Sequence, residues 1–144
     1  MQLTEHFSLK ELTYSQYAVD NQIDNKFDSE IVDNLLALCV NWLEPFRLFY
    51  GKPIRVTSGY RSEALNTALG GSKTSAHFIG SAVDMQPVDG DFKAFVASVK
   101  DFIDKESGKF DQCLIESNKT TKWVHLGLFN RKGEQRCMVK SLKV

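Results

Sequence analysis

Hydrophobic positions return along this chain in two periods, and the two divide it into helices and strands. From Glu30 to Tyr50, Ile31, Leu35, Leu38, Trp42 and Phe46 recur every three or four residues, with Val32, Leu36, Cys39 and Leu43 beside them. This predicts a long amphipathic helix with a broad buried face. Asp28 or Ser29 is placed to cap it, Pro45 should kink it or end its regular part, and Gly51 stops it. Phe92, Phe95, Val96, Val99, Phe102 and Ile103 predict a second helix over 92–106, with Gly108 ending it. Ser8 followed by Glu11 is a capping box that opens a short helix, and Ser62 caps a helix over 63–69 that Gly70-Gly71 terminates.

Between these lie short runs with the alternation of strands: 54–57, 82–85, 110–116 and 123–128. The last two are expected to form an antiparallel hairpin across a loop of about six residues. Residues 136–140 can add a final short strand before a basic tail that frays. Residues 14–25 are polar and irregular and read as a surface loop able to reach a cleft; 72–75 is another polar loop. The expected architecture is α+β, a small antiparallel sheet packed against helices, in a single domain spanning 1–144.

At 144 residues, 42% hydrophobic and 25% charged, the chain has the composition of a globular domain able to bury a core. Its formal net charge of zero argues against a nucleic-acid binder held by a basic surface. No run is apolar enough, for long enough, to span a bilayer, and the N-terminal stretch has no basic start or apolar signal core. The expectation is therefore a protein made in the cytoplasm, without a membrane or nucleic-acid partner, acting as a monomer. The cysteines, Cys39, Cys113 and Cys137, are widely spaced and form no C-x-x-C pair. Cys39 and Cys113 read as small buried apolar residues.

The candidate chemistry is concentrated in Ser75-Ala-His-Phe-Ile-Gly-Ser-Ala-Val-Asp84 and Trp123-Val-His125. Two imidazoles and a carboxylate, His77, Asp84 and His125, are the usual protein share of a catalytic zinc site, whose fourth position is left for water or substrate. His77 and Asp84 are too far apart in sequence for one helix turn. Gly80, Ser81 and Ala82 suit a tight turn into a strand, with His77 on the loop and Asp84 on the strand. His125 alternates against Val124 and Leu126 and shares its side with Trp123 and Gly127. His6 has no such neighbours and reads as a surface or minor packing residue. Arg61, at a strand-to-helix corner, suits either a substrate carboxylate or carbonyl oxygen, or a structural acid. Ser75 can hydrogen-bond beside the metal or fix its own loop.

Ser75-x-His77-x-x-Gly80-x-Ala82-x-Asp84, then Trp123-x-His125, preceded by Ser58-Gly-Tyr-Arg-Ser62, Asn66 and Gly70-Gly71, resembles the zinc D-Ala-D-Ala carboxypeptidases and the phage L-alanyl-D-glutamate endopeptidases. The likeness covers about residues 7–128. It implies a hedgehog-like fold and a zinc ion on His77, Asp84 and His125. It also implies cleavage of peptidoglycan stem peptides by metal-activated water, with Arg61 and Ser75 on substrate. Such a protein would act on the cell wall after release, as a phage or prophage lytic enzyme. One position departs from the pattern. Relatives often carry a glutamate base three residues before the last zinc histidine, where this chain has Lys122. Glu116, at the end of the partner strand, is the nearest alternative, and Asp111 is the more remote, structural candidate. If Glu116 is an exposed strand-end acid, the chain is instead a zinc-stabilised cell-wall-binding or phage structural domain without turnover.

Overall fold

The structure, a computed structural model, describes residues 1–106 and 109–144. The long helix is present as one helical run in three parts: α1 and α2 precede it at Leu9–Thr13 and Gln16–Asp20, α3 spans Ser29–Leu38, a wide π turn occupies Cys39–Leu43, and α4 covers Glu44–Tyr50. The wide turn, in which the Glu44 N–H reaches back to the Cys39 carbonyl, sits directly before Pro45. Proline lacks the N–H that would bond the Asn41 carbonyl, and a local change of helical pitch accommodates that loss without breaking the run. Asp28 caps α3 through the Ile31 N–H. The capping box on α1 is formed in both directions, the Glu11 N–H to Ser8 Oγ at 3.1 Å and the Ser8 N–H to Glu11 Oε2 at 3.5 Å.

The remaining elements are β1 (Ile54–Ser58), α5 (Glu63–Ala68), a 3-10 turn at Ala76–Ile79, β2 (Ala82–Pro87), α6 (Phe92–Glu106), β3 (Gln112–Ser117), β4 (Lys122–Gly127) and β5 (Met138–Lys143). The stop assigned to Gly108 lies outside the described residues. The class is α+β as expected, but the five-stranded sheet is mixed rather than antiparallel. Its order is β1-β2-β4-β3-β5, with β5 parallel to β3. The reason is topological: both edges of β4 are already taken, by β2 and β3. The chain leaving β4 therefore passes the start of β3 and joins β3's outer edge, where the Cys137 and Met138 N–H groups bond the Phe110 and Asp111 carbonyls. This final strand runs to Lys143, so the tail expected to fray is paired.

Two further differences come from short polar segments. Residues 14–25 hold the single-turn helix α2, which Ser15 caps through the Ala18 N–H, a cue masked by the lack of an apolar stripe. The β3–β4 loop is shorter than expected because Ser117 and Lys122 still pair.

Strand alternation gives the sheet two chemically distinct faces. Val83, Met85, Cys113, Val124 and Leu126 are all fully buried on one of them. That face meets Trp42, Phe46, Phe95, Val99 and Phe102 from the helices. Trp42 is at the centre, with its ring 5.0 Å from that of Phe46 and 5.3 Å from that of Phe102. Cys39 and Cys113 are part of this core, and burial pushes both thiols up to about 12, which leaves them protonated packing residues. Trp42→Ala should lower the unfolding free energy by about 3–5 kcal/mol, the cost of a large cavity in a rigid core. Equilibrium denaturant unfolding checks this, and a loss below about 1 kcal/mol would contradict the packing described.

Candidate metal centre

The second face of the sheet carries the chemistry. The β2–β4 register sets Asp84 directly opposite His125. Opposed residues on neighbouring strands share a face, so the pairing alone brings the carboxylate and the imidazole together. His125 Nδ1 lies 2.9 Å from Asp84 Oδ1. On the other side of β4, Leu114 is opposite His125 and Glu116 opposite Trp123.

His77 arrives from outside the sheet, on the 3-10 turn. Ser75 Oγ accepts the His77 N–H and starts that turn, and Gly80 ends it in a left-handed conformation, φ +72°, that disfavours any side chain. His77 Nδ1 is 2.7 Å from the Gly59 carbonyl oxygen, which can only accept. The proton of the neutral ring is therefore on Nδ1, and Nε2 keeps its lone pair. Nε2 is 3.2 Å from Asp84 Oδ1. Glycine is required at position 59 because a Cβ there would stand 2.2 Å from the Leu12 carbonyl oxygen. The close passage of α1's end over Gly59 thus fixes the carbonyl that orients His77.

One ligand atom from each of His77, Asp84 and His125 lies within 4.8 Å of the others. All three residues are at most 9% exposed. Burial alone would raise the Asp84 carboxyl, but the His77 and His125 imidazoles override it and hold the group well below the usual carboxylate range. Burial lowers His77, favouring the neutral ring that a metal needs. The second oxygen of Asp84 is held by Arg61, Nη2 to Oδ2 at 3.2 Å. Arg61 is itself fixed by Nε to Ser58 Oγ at 2.9 Å and by its N–H to the His77 carbonyl at 3.0 Å. Arg61 is thus paired with an acid, Asp84, while its side chain also lines the cleft. Two imidazole nitrogens and one carboxylate oxygen, with the outer atoms of His77 and Asp84 already bonded, are a donor set that can hold a divalent cation such as zinc.

The three side chains line a cleft of ≈ 450 Å³, together with Arg61, Ser75, Asp111, Glu116, Trp123 and Arg136 among others. Glu116 is half-buried there, and desolvation raises its carboxyl above the usual range despite the attraction of His125. Lys122 sits an odd number of positions from His125, so its side chain belongs to the opposite side of β4, and it is exposed. An acid at that position of this strand would not face the site. Ser15, Gln16 and Tyr17 of the α2 segment line a second hollow that shares Arg61, Asp84 and Trp123 with the cleft. His6 is not a free surface residue: its Nδ1 is 2.6 Å from Glu44 Oε2.

The sequence named His77, Asp84, His125, Arg61, Ser75 and Glu116, and all six line this cleft. It missed Arg136 and the role of the Gly59 carbonyl. Asp111, read as structural, is 2% exposed and is clamped by Arg136. Nε meets Oδ1 at 2.7 Å, Nη2 meets Oδ2 at 2.9 Å, and the Arg136 N–H meets Oδ1 at 3.1 Å. Only the β3–β5 pairing brings these residues together, and no local spacing signals it.

The guanidinium bonds hold Asp111 below the usual carboxylate range. A carboxylate depressed on folding contributes stability that is present above its unfolded pKa, about 3.9, and lost as pH falls through the lower folded value. Asp111→Asn should therefore be less stable than the parent at neutral pH. The gap should narrow as pH drops below about 4. Urea unfolding at a series of pH values measures the gap, and a constant gap would contradict the pairing.

No curated protein matches the chain. A family model described as Peptidase M15 matches residues 5–127, which include every residue of the His-Asp-His cluster, Arg61, Ser75 and Glu116. That span takes in all but the first four residues and the final strand with its approach. The chain belongs to the peptidase M15 family.

Proposed function

We propose that residues 1–144 form one zinc-dependent peptidase domain that cleaves peptidoglycan stem peptides, as a carboxypeptidase or an endolysin-like endopeptidase. The observation that carries this reading is the convergence of His77 Nε2, Asp84 Oδ1 and His125 Nδ1 in a cleft that Glu116 shares. Zinc bound there would polarise a substrate carbonyl and lower the pKa of water. His77 would bind through Nε2, with its tautomer set by the Gly59 carbonyl, and His125 through Nδ1. Arg61 keeps the second oxygen of Asp84 occupied, so that Oδ1 stays aimed at the ion. Glu116, whose carboxyl burial raises, takes the proton of the attacking water and returns it to the leaving amine. Ser75 shapes the wall of the cleft through the turn that carries His77. The substrate would place the protein's action at the cell wall.

A second reading has one observation in its favour. Position 122, where relatives often carry the base, holds an exposed lysine. If Glu116 moves no proton, the domain binds zinc and stem peptide without cutting, as a cell-wall-binding or phage structural module on a hedgehog-like fold.

The two readings separate in variants. His77→Ala and Asp84→Ala should each bind zinc more than ~100-fold more weakly than the parent, as read by competition with a chromophoric chelator. Glu116→Gln should keep one zinc per chain and lose about 10²–10⁴-fold in hydrolysis. Parent-like zinc affinity in the first pair would overturn the metal site. Parent-like hydrolysis in Glu116→Gln would move the base to another group.

A further inference from the structure

The cleft contains a second guanidinium that the peptidase reading leaves without a task. Arg136 lies on the crossing from β4 to β5 and lines the cleft with His77, Asp84, Glu116 and His125. Its Nε and Nη2 are taken by Asp111, which is itself buried. That pairing uses the side edge of the guanidinium. A guanidinium has five N–H donors in one plane, so the end edge, made of Nη1–H and the remaining Nη2–H, stays available. Among the described residues Nη1 has no hydrogen-bond partner, and the Arg136 side chain is 42% exposed against 3% for Asp111.

Arg61, the other guanidinium lining the cleft, is placed differently. Its side chain is 15% exposed, and it is committed to Ser58 and to Asp84. Both guanidiniums are bonded through Nε and Nη2, and the difference lies in exposure: at 42% against 15%, Arg136 presents far more of its free, planar pair of donors to whatever enters. The buried Asp111 prevents the guanidinium from swinging away, so little conformational entropy is lost when a ligand is bound. A planar pair of N–H donors matches the two oxygens of a carboxylate better than any neutral peptide group.

We propose that Arg136, clamped by Asp111, is the specificity-determining residue of the cleft and binds a free carboxylate of the peptide substrate. This rests on the stem-peptide reading above and narrows it. The substrate must present a carboxylate within reach of the metal-ligand cluster, at its C-terminus or on a side branch. Arg136 makes this contact through its end edge and takes no part in proton transfer. Asp111 is a positioning residue that touches Arg136 and not the substrate.

The test reads binding, so it applies whether or not the domain cuts. The zinc-loaded chain of residues 1–144 in the Glu116→Gln background, chosen so that bound peptide is not consumed, is titrated calorimetrically. The ligands are a stem pentapeptide with free C-terminal and glutamyl α-carboxylates, and two forms in which one or the other is amidated. Amidation of one of the two should weaken binding by about 10–100-fold, the usual worth of a charge-assisted bidentate contact. Adding Arg136→Gln should weaken binding of the free-carboxylate peptide by the same factor and leave that amide's affinity unchanged. Adding Arg136→Lys should recover only part of the loss, because the planar pair of donors is gone. Equal weakening of acid and amide by Arg136→Gln would overturn the assignment by making the residue structural. So would affinity indifferent to both amidations in the parent background. Failure of every stem peptide to bind would overturn the stem-peptide reading, and this assignment with it.

Discussion

The site depends on one cross-strand pair. Asp84 and His125 face each other because β2 and β4 are aligned as they are, and a slip of one residue in either strand would turn that strand's side chain into the apolar core and part the pair. The register is secured from that core side. Val83, Met85, Val124 and Leu126 alternate with the site residues and are fully buried under the helices. The packing that stabilises the sheet therefore also sets the distance between two of the three candidate ligand residues. Only His77 has to be brought in separately, by a short turn whose angle Ser75, Gly80 and the Gly59 carbonyl determine.

Electrostatics then organises the cleft in layers. Three buried polar residues, His77, Asp84 and His125, would be costly together without mutual pairing. The Asp84 carboxylate answers two imidazoles with one oxygen and Arg61 with the other. Elsewhere in the cleft wall, the buried Asp111 fixes Arg136. Each carboxylate holds a guanidinium, yet the two differ in exposure, 15% for the Arg61 side chain and 42% for that of Arg136. Glu116 has no guanidinium partner, and desolvation leaves it a weaker acid than its neighbours. Three carboxylates within one cleft thus have three different environments, which is how a site separates metal binding, positioning and proton transfer.

Much of this was legible in the sequence wherever the signal is local. The apolar stripe from Ile31 to Phe46, the capping box at Ser8 and Glu11, and the alternation around His125 each depend on neighbours within a few residues. The candidate ligand set came from His77, Asp84 and His125 standing in strand and turn contexts that could converge. What was not legible depends on contacts between distant segments. The parallel placement of β5 follows from which sheet edges are already filled, and the Asp111–Arg136 pair exists only because of it. The π turn before Pro45 is a compromise between a missing N–H and a buried stripe, where the sequence signals only the conflict. Lys122 looked like the loss of a catalytic position. In the fold it lies on the opposite side of β4 from His125, while Glu116 of β3 stands opposite Trp123 and lines the cleft.

The most direct test of a metal-dependent peptidase is hydrolysis of a stem peptide by the purified chain of residues 1–144, followed by mass spectrometry. It should be run as prepared, after chelation, and after zinc is restored. The account predicts cleavage that disappears with the chelator and returns with one equivalent of zinc, at a single bond identified by the fragment masses. Cleavage that continues unchanged after complete removal of zinc, or a fully zinc-loaded chain that cuts no stem peptide, would contradict it.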